Sequence, residues 1–144
     1  MYRVYKVEEG IWRGPRLTRE ELETLNPASV INLENDHRAV CDEEIYCKSK
    51  NIRFYNIPMS EMFAPSQRKL IDGVVKLDCV QKPVYIHCLH GVDRTGFVIA
   101  AYRMLLQYWS LEKAYQECLD YGHNVFWYWW WKRSLIKLDK ERRK

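Results

Sequence analysis

Short apolar segments alternate along the chain with longer segments whose apolar residues recur at helical spacing. The strand candidates are residues 4–7, 11–13, 30–33, 52–57 and 84–86, each bounded by polar residues, glycine or proline. Strands that alternate with helices are typical of an α/β fold, in which a largely parallel central sheet lies between layers of helices. The pattern therefore predicts a single three-layer domain over residues 1–144, with no internal repeat or linker.

Polar capping residues indicate where several helices begin. A capping box at residues 18–21 predicts one helix, and Ser66 and Ser110 are N-cap candidates for two others. Residues 36–50 are mostly polar but also fit a helix. The expected inward side chains of that helix are Val40, Ile45 and Tyr46. The helix after Ser66 is expected to bury one apolar stripe, made of Leu70, Ile71, Val74 and Val75.

The composition is ordinary for a globular protein, with 47% hydrophobic and 29% charged residues. The net charge of +4 suits an anionic substrate but does not by itself indicate nucleic-acid binding. Residues 1–6 lack the apolar core of a secretory signal, and the longest apolar run, residues 97–102, is too short to cross a membrane. The five cysteines show no disulfide-framework spacing. We therefore expect a cytoplasmic protein, because free thiols persist best in a reducing compartment.

Residues 87–96, His-Cys-Leu-His-Gly-Val-Asp-Arg-Thr-Gly, carry the clearest chemical signal. They lie between the strand candidate 84–86 and an apolar segment of helical spacing, 97–108. A strand, a glycine-containing turn and a helix N-terminus form an anion site, because the free N–H groups and the helix dipole favour negative charge. Arg94 can hold two phosphate oxygens in a bidentate fork. Cys88 is expected to have a depressed pKa at this helix N-terminus and to attack phosphorus as a thiolate.

Cys-x5-Arg followed by Thr, with His before the Cys, resembles the signature of the cysteine-dependent phosphatases, which include the tyrosine and dual-specificity phosphatases. The matching positions are His87, Cys88, Gly91, Arg94, Thr95 and Gly96. The resemblance implies the phosphatase (Cys-x5-Arg) fold, a cysteinyl-phosphate intermediate on Cys88, and no metal or cofactor, because Arg94 and the loop amides supply the electrostatic stabilisation. It also implies that phosphate binds to the loop residues Leu89, His90, Gly91, Val92, Asp93 and Arg94.

Three further segments, residues 10–15, 30–33 and 57–59, resemble the motifs of compact dual-specificity phosphatases of the bacterial and atypical sort. In that family the Asn-Leu pair that ends the second segment is usually followed by Arg, whereas this chain has Glu34. We therefore transfer no family role to this position.

Thr95 directly follows Arg94 and has a hydroxyl group. Its hydroxyl is expected to donate to the sulfur, which would stabilise the thiolate and help it leave in the second step. The alternative is a helix-start residue that bonds only to its own backbone. His87 is expected to orient the loop rather than to transfer protons, and His90 to line the rim of the loop as a structural donor.

The general acid is where the chain departs from the family, which normally places an Asp on the loop after the strand that here ends at residues 57–58. This chain has no Asp there, and Glu61, three residues past the proline, is the candidate that can protonate the leaving oxygen. The alternative for Glu61 is a solvated loop charge. Asp93 is the other candidate acid, and its alternative role is to brace the loop or to orient the substrate.

Residues 126–131, Phe-Trp-Tyr-Trp-Trp-Trp, form an aromatic run in a predicted last helix that begins at residue 124. Because an α-helix turns once every ~3.6 residues, these rings must spread around its axis. A basic tail follows from about residue 132. The two segments could bind an anionic membrane surface or stack on nucleic-acid bases. We favour a packed last helix with a solvated tail, because single aromatic side chains on surfaces are normal.

The sequence thus predicts a metal-independent phosphomonoester hydrolase, a protein tyrosine or dual-specificity phosphatase that acts on a phosphorylated protein or a small phosphomonoester. The short chain leaves few residues for a tall recognition loop, so we expect a shallow pocket. Phosphoinositide phosphatase and RNA 5′-triphosphatase are alternatives, and Asp93 argues against the latter because a carboxylate repels a polyphosphate. A phosphate-binding pseudophosphatase is the alternative from another class, since the usual Asp acid is missing.

Overall fold

The computed structural model describes residues 4–144, apart from the side chain of Trp127, and its centre is a five-stranded sheet. Residues 1–3, part of the stretch that argued against a secretory signal, lie outside the described residues. The strands are β1 (Tyr5–Glu8), β2 (Ile11–Gly14), β3 (Ser29–Asn32), β4 (Arg53–Asn56) and β5 (Val84–His87). Their order is β1-β2-β5-β3-β4, with β1 antiparallel to β2 and the other pairs parallel. The predicted mostly parallel central sheet is confirmed.

Helices cover both faces of this sheet. They are α1 (Arg19–Leu25), α2 (His37–Ser49), α3 (Gln67–Cys79), α4 (Asp93–Leu106), α5 (Leu111–Asp120), α6 (Val125–Tyr128) and α7 (Lys132–Arg142). The capping box of α1 and the N-caps Ser66 and Ser110 are present as predicted, each with its side chain accepting a backbone N–H. Within the described part of the chain, no helix is long and apolar enough to cross a membrane.

The sheet separates two hydrophobic cores. The larger core packs α3, α4, α5 and α7 against the sheet and contains Phe97, Trp131 and Ile86. The smaller core lies under α1 and α2 and contains Tyr46 and Tyr85. Alternate residues of β5 therefore enter opposite cores, as expected for a strand buried on both faces. This arrangement is the three-layer α/β fold.

The inward face of α2 was predicted incorrectly at one position. Ile45 is 64% exposed, whereas Tyr46 and its neighbour Cys47 are buried. Val40 is partly buried. Because successive helical residues are about 100° apart, a face centred between positions 46 and 47 turns residue 45 toward solvent.

The apolar stripe of α3 is confirmed at Leu70 and Val74, but Ile71 and Val75 are exposed and that part of the prediction is wrong. The buried face of α3 includes Gly73 instead. A Cβ at this glycine would lie 2.6 Å from Cγ1 of Val98 in α4. Because Gly73 has no side chain, the two helices can approach closely there. A count of apolar residues favoured a face that includes Ile71 and Val75, and in the structure that face is turned toward solvent.

The C-terminal segment differs from the single last helix predicted from residue 124. The 3-10 turn Trp129–Trp131 separates α6 from α7. The basic segment from residue 132 is largely the helix α7, whose Leu135 and Leu138 are buried in the larger core. The packed-helix interpretation therefore holds for α7.

Candidate active site

The phosphate-binding loop, defined here as residues 88–92, joins the carboxyl end of β5 to the N-terminus of α4. β5 lies between β2 and β3 and is parallel to both. Ligands of open α/β sheets bind beyond the carboxyl ends of the parallel strands. The loop thus occupies the edge of the sheet where this fold places its sites.

Two arginines from the N-terminal part of the chain hold the carbonyl groups of this loop. The backbone N–H of Arg16 donates to the Leu89 carbonyl (3.1 Å), and Nη2 of Arg13 donates to the Gly91 carbonyl (3.2 Å). In a trans peptide, the C=O and the following N–H point in opposite directions. The N–H after each anchored carbonyl therefore points to the other side of the loop, where it is available to an anion.

Gly91 is the position in the loop where only glycine fits. Its φ is +75°, a backbone conformation that residues other than glycine rarely adopt. A Cβ there would lie 2.3 Å from the carbonyl carbon of Gly14 at the end of β2. This close approach fixes the loop against the neighbouring strand.

Cys88 lies at the base of the site with its side chain buried. The hydroxyl of Thr95 donates to Cys88 Sγ across 3.2 Å. Thr95 is in the first turn of α4, so the sulfur faces the positive end of the helix dipole as well as a hydroxyl donor.

Arg94 connects the phosphate-binding loop to the segment 59–65, which we call the acid loop. Its Nη1 donates to the Met59 carbonyl (3.1 Å), and its Nη2 lies 3.3 Å from Glu61 Oε1. The Arg94 side chain is 4% exposed, whereas that of Glu61 is 55% exposed. The structure therefore places Glu61 beside the guanidinium that is expected to bind phosphate.

Asp93 is held by groups outside the phosphate-binding loop. Its Oδ1 lies 2.6 Å from Nδ1 of His123 and accepts a weaker bond from the Asn124 N–H (3.4 Å). The His123 side chain is fully buried. Aromatic rings surround it at centroid distances of 5.0 to 6.4 Å, those of Phe97, Tyr115, Tyr128 and Trp131.

These residues enclose a small pocket of about 80 Å³. Its lining residues are Glu61, Cys88, His90, Asp93, Arg94, Tyr128 and Trp131. The structure thus brings together both candidate acids, the cysteine and the arginine that the sequence singled out. Thr95 lies behind the sulfur, and His90 is exposed at the rim. Leu89, Gly91 and Val92 belong to the loop backbone.

Sequence reasoning did not assign Tyr128, Trp131 or His123 to the site. Tyr128 and Trp131 are three residues apart, a spacing that puts two helical side chains on one face and could have suggested a shared wall. The indole N–H of Trp131 also donates to the Met62 carbonyl across 3.1 Å. The aromatic segment therefore holds the acid loop in place.

A buried ion pair supports the loop from below. His87 Nε2 lies 2.7 Å from Glu43 Oε1, and His87 Nδ1 lies 3.1 Å from the Cys88 carbonyl oxygen. Burial is the largest effect on the pKa of His87 and lowers it, but the charge and hydrogen bond of Glu43 outweigh burial and the pKa is raised. The pKa of Glu43 is lowered although its burial acts in the opposite direction. His87 lies where it was expected, as a residue that orients the loop.

Glu34, the departure from the family pattern, is buried and binds Arg16. Arg16 Nε lies 3.1 Å from both carboxylate oxygens. This hydrogen bonding, together with the charge of Glu34, raises the pKa of Arg16. Glu34 thereby fixes the residue whose backbone N–H anchors the phosphate-binding loop.

The sequence profile of the tyrosine phosphatase family matches residues 6–126, most of the chain. The chain belongs to the tyrosine phosphatase family. The predicted membership among cysteine-dependent phosphatases is confirmed, and with it an enzyme of that class. No curated protein sequence matches the chain significantly.

Solved structures of family members share the fold of this phosphatase. Tk-PTP matches with a TM-score of 0.82 at 19% identity, covering 97% of this chain and 96% of that one. TpbA of P. aeruginosa, solved with pTyr, matches with a TM-score of 0.75 at 18% identity, covering 99% and 91%. PTPMT1, solved with PI(5)P, matches with a TM-score of 0.76 at 19% identity, covering 96% of each chain. Likeness at these identities shows the fold alone.

Proposed function

We propose that this phosphatase hydrolyses phosphotyrosine and, more slowly, phosphoserine and phosphothreonine through a cysteinyl-phosphate on Cys88. The observation that carries the proposal is the 3.2 Å contact from the Thr95 hydroxyl to Cys88 Sγ at the base of a pocket flanked by Arg94. A thiolate held by a hydroxyl donor and facing a guanidinium has both a nucleophile and an oxyanion site in place.

In the first step, Cys88 Sγ attacks phosphorus. The S–P bond forms as the bond from phosphorus to the ester oxygen breaks, and the leaving oxygen takes a proton from Glu61. Arg94 and the loop N–H groups bind the non-bridging oxygens, where charge develops. The products of this step are the alcohol or phenol and the phosphorylated cysteine.

In the second step, water attacks the phosphorylated cysteine. Glu61, now a carboxylate, takes a proton from the water while the S–P bond breaks. Cys88 leaves as a thiolate, which the Thr95 hydroxyl stabilises by the same hydrogen bond. Inorganic phosphate is released, and the proton returns Glu61 to its starting form.

The contacts of the two carboxyl groups favour Glu61 over Asp93 as the acid. A general acid must be free to reach the leaving oxygen of the substrate. Asp93 accepts from both His123 and Asn124, and phosphate would displace neither. Glu61 accepts from Arg94, whose guanidinium would turn to the phosphate when substrate binds.

The shape of the pocket supports aryl and protein phosphomonoesters as substrates. A pocket of about 80 Å³ has room for a phosphate group, and the rest of the substrate lies outside it. The ring of Tyr128 on the wall can pack against an aromatic leaving group. TpbA with pTyr and PTPMT1 with PI(5)P both hold phosphomonoesters, which supports this substrate class.

A substrate panel with a trapping variant tests the proposal. The panel contains an aryl phosphate, phosphopeptides of all three kinds, a phosphoinositide and RNA 5′-triphosphate. Cys88→Ser should lose turnover by about 10⁴-fold or more yet still bind the phosphotyrosine peptide, because the groups that hold phosphate remain. Cys79→Ser, which changes an exposed cysteine, is the matched control and should keep full activity.

Arg94→Lys should bind substrate more weakly and turn it over more slowly, because an ammonium group cannot replace the planar, bidentate guanidinium. Residual turnover by Cys88→Ser well above background would refute covalent catalysis. Turnover of the phosphoinositide or the RNA alone, with no activity on phosphopeptides, would refute the proposed substrate class.

A further inference from the structure

Exposed apolar side chains lie on both of the segments that flank the pocket. Met62 is 68% exposed and Phe63 is 73% exposed, directly after Glu61 in the acid loop. Phe126 is 80% exposed and Trp129 is 61% exposed, on the segment that supplies Tyr128 and Trp131 to the pocket wall. We call these four residues the apolar rim.

The two halves of the apolar rim belong to one surface. The hydrogen bond from the Trp131 indole to the Met62 carbonyl joins the acid loop to the aromatic segment. Glu61 and Tyr128, which neighbour the rim residues in sequence, line the same pocket. The rim residues therefore lie on two joined segments beside the pocket.

Exposure alone does not distinguish these residues. Ile45 in α2 and Tyr108 after α4 are 64% and 87% exposed, but neither lies on an element that lines the pocket. Scattered apolar side chains are normal on protein surfaces, whereas an apolar cluster beside a site indicates an interaction surface.

A line of cations continues from the apolar rim along α7. The Arg133 guanidinium lies 5.6 Å from the centroid of the Trp129 ring. Arg133, Lys137 and Lys140 recur at spacings of four and three residues, so they share one helical face, and all three are exposed. Glu141 lies beside this face, but it pairs with Lys144, so the face keeps its positive charge. We call the three cations the basic stripe.

We propose that the apolar rim and the basic stripe seat this phosphatase on an anionic membrane surface, with the pocket open toward the headgroup layer. Exposed aromatic side chains insert at the boundary between headgroups and acyl chains, and neighbouring lysines and arginines are attracted to anionic lipids. The two lysines of the basic stripe favour a lipid surface over a protein partner, because lysine is depleted from the cores of protein interfaces. The inference rests on the proposed function only in that the pocket accepts phosphomonoesters.

Vesicle sedimentation tests the binding without any turnover. The probe is phosphatidylcholine vesicles that contain about 30% phosphatidylglycerol, at low ionic strength. The wild-type chain should sediment with these vesicles and not with pure phosphatidylcholine. The triple variant Arg133→Gln, Lys137→Gln, Lys140→Gln should partition roughly 100-fold less, because each cation near an anionic surface contributes about fivefold.

A double variant tests the apolar rim. Phe63→Ser with Trp129→Ser should partition at least about tenfold less than wild type, because two inserted rings are lost. Ile45→Ser with Tyr108→Ser is the matched control, since it removes two side chains that are about as exposed but lie away from the pocket, and it should bind as wild type does. All of these variants should keep the wild-type circular-dichroism spectrum and unfold cooperatively in denaturant, which confirms that they fold.

Three results would overturn the inference. The wild-type chain could fail to sediment with anionic vesicles, or the rim variant could bind them as well as its control does. The chain could also self-associate through the rim in solution, without vesicle binding, which would assign the surface to a second copy. If the wild-type chain binds the vesicles but does not turn over an aryl phosphate, the proposed function is contradicted and the membrane proposal is not.

Discussion

The indole N–H of Trp131 donates to the carbonyl of Met62 across 3.1 Å and so holds the residue that follows Glu61. Trp131 is also fully buried, with its ring 5.4 Å from that of Phe97 in a T-shaped contact. A residue from the C-terminal aromatic run is thus fixed to the core on one side and to the acid loop on the other. Trp131 is a positioning residue for the candidate acid.

Trp131→Phe should separate these two roles. The phenyl ring keeps much of the packing but removes the N–H donor, so kcat on an alkyl phosphate should fall by about tenfold as Glu61 loses its fixed position. Inhibition by vanadate, which reports on the phosphate-binding loop, should be unchanged. The free energy of unfolding should fall by about 1–2 kcal/mol.

Trp130→Phe is the control for this change, because Trp130 does not line the pocket. Steady-state kinetics and denaturant unfolding of both variants are the measurements. If Trp131→Phe alters vanadate inhibition as much as kcat, its effect is on the whole site and not on the acid loop.

Thr95→Val should slow the second chemical step more than the first. The variant keeps the shape of the side chain but removes the hydroxyl that donates to Cys88 Sγ. A hydrogen bond to a charged group contributes about 1.5–3 kcal/mol, so breakdown of the cysteinyl-phosphate should slow by roughly 10–100-fold. Rapid-mixing kinetics with an aryl phosphate should then show a burst of phenol release. Thr95→Ser keeps the hydroxyl, so it should turn over substrate without a burst. If both variants are slowed equally, the hydrogen bond from the hydroxyl to Cys88 Sγ does not assist the second step.

Glu61→Gln should identify the general acid. The rate on alkyl phosphates should fall by about 10²–10⁴, and far less on aryl phosphates, whose leaving oxygen needs little protonation. The decrease in turnover rate at alkaline pH, which we call the alkaline limb of the pH–rate curve, should become less steep. Vanadate should bind more tightly, because the carboxylate that lies 3.3 Å from Arg94 Nη2 no longer competes for it.

Asp93→Asn is the comparison variant for the acid. We expect it to keep the alkaline limb and to lose part of the rate, because the pair with His123 that fixes the loop is weakened. If Asp93→Asn loses that limb and Glu61→Gln keeps it, the acid is Asp93 at the start of α4 and our assignment is wrong.

The buried pair of His87 and Glu43 makes stability depend on pH. The raised pKa of His87 means that its stabilising contribution is fully present below its ordinary value of 6.5 and is lost as the pH rises through the folded-state pKa. The lowered pKa of Glu43 means that its contribution is present above 4.5 and is lost as the pH falls through the folded-state value. The contribution of the pair to the free energy of unfolding should be flat between these limits and decline on both sides.

Glu43→Gln should lower that plateau by about 3–5 kcal/mol and remove the alkaline decline, because the histidine can no longer keep its charge. Glu44→Gln changes the next residue, a partly exposed partner of Lys48, and should cost less than about 0.5 kcal/mol. Denaturant unfolding at a series of pH values measures both. An unchanged alkaline slope in Glu43→Gln would mean that another group produces the decline.

The sheet and the phosphate-binding loop could be predicted because each depends on local signals. Val84 to His87 is apolar enough to be a buried strand, and the spacing from Cys88 to Arg94 places both at one helix start. The helix faces were predicted less well. Ile71 and Val75 count as apolar, but α3 packs on Gly73, and sequence patterns give glycine no weight as a contact surface.

The outer parts of the site could not be predicted, because they depend on contacts between residues far apart in sequence. Glu43 pairs with a histidine 44 residues away, and Trp131 binds a carbonyl 69 residues away. Aromatic composition marked residues 126–131 as unusual but could not tell the buried Trp131 from the exposed Trp129. That distinction depends on the 3-10 turn Trp129–Trp131. With three residues per turn, its successive side chains point in directions that differ from those of an α-helix.

The anchoring of the loop by Arg13 and Arg16 has a consequence for how the enzyme is made. Both arginines leave the ribosome long before Cys88, since 78 residues separate Arg13 from the Gly91 carbonyl that it binds. A nascent chain therefore already carries the partners of the loop when the cysteine emerges, and the loop can adopt its anion-binding form as α4 follows. A fragment that began after Arg16 would contain the whole motif and none of these anchors.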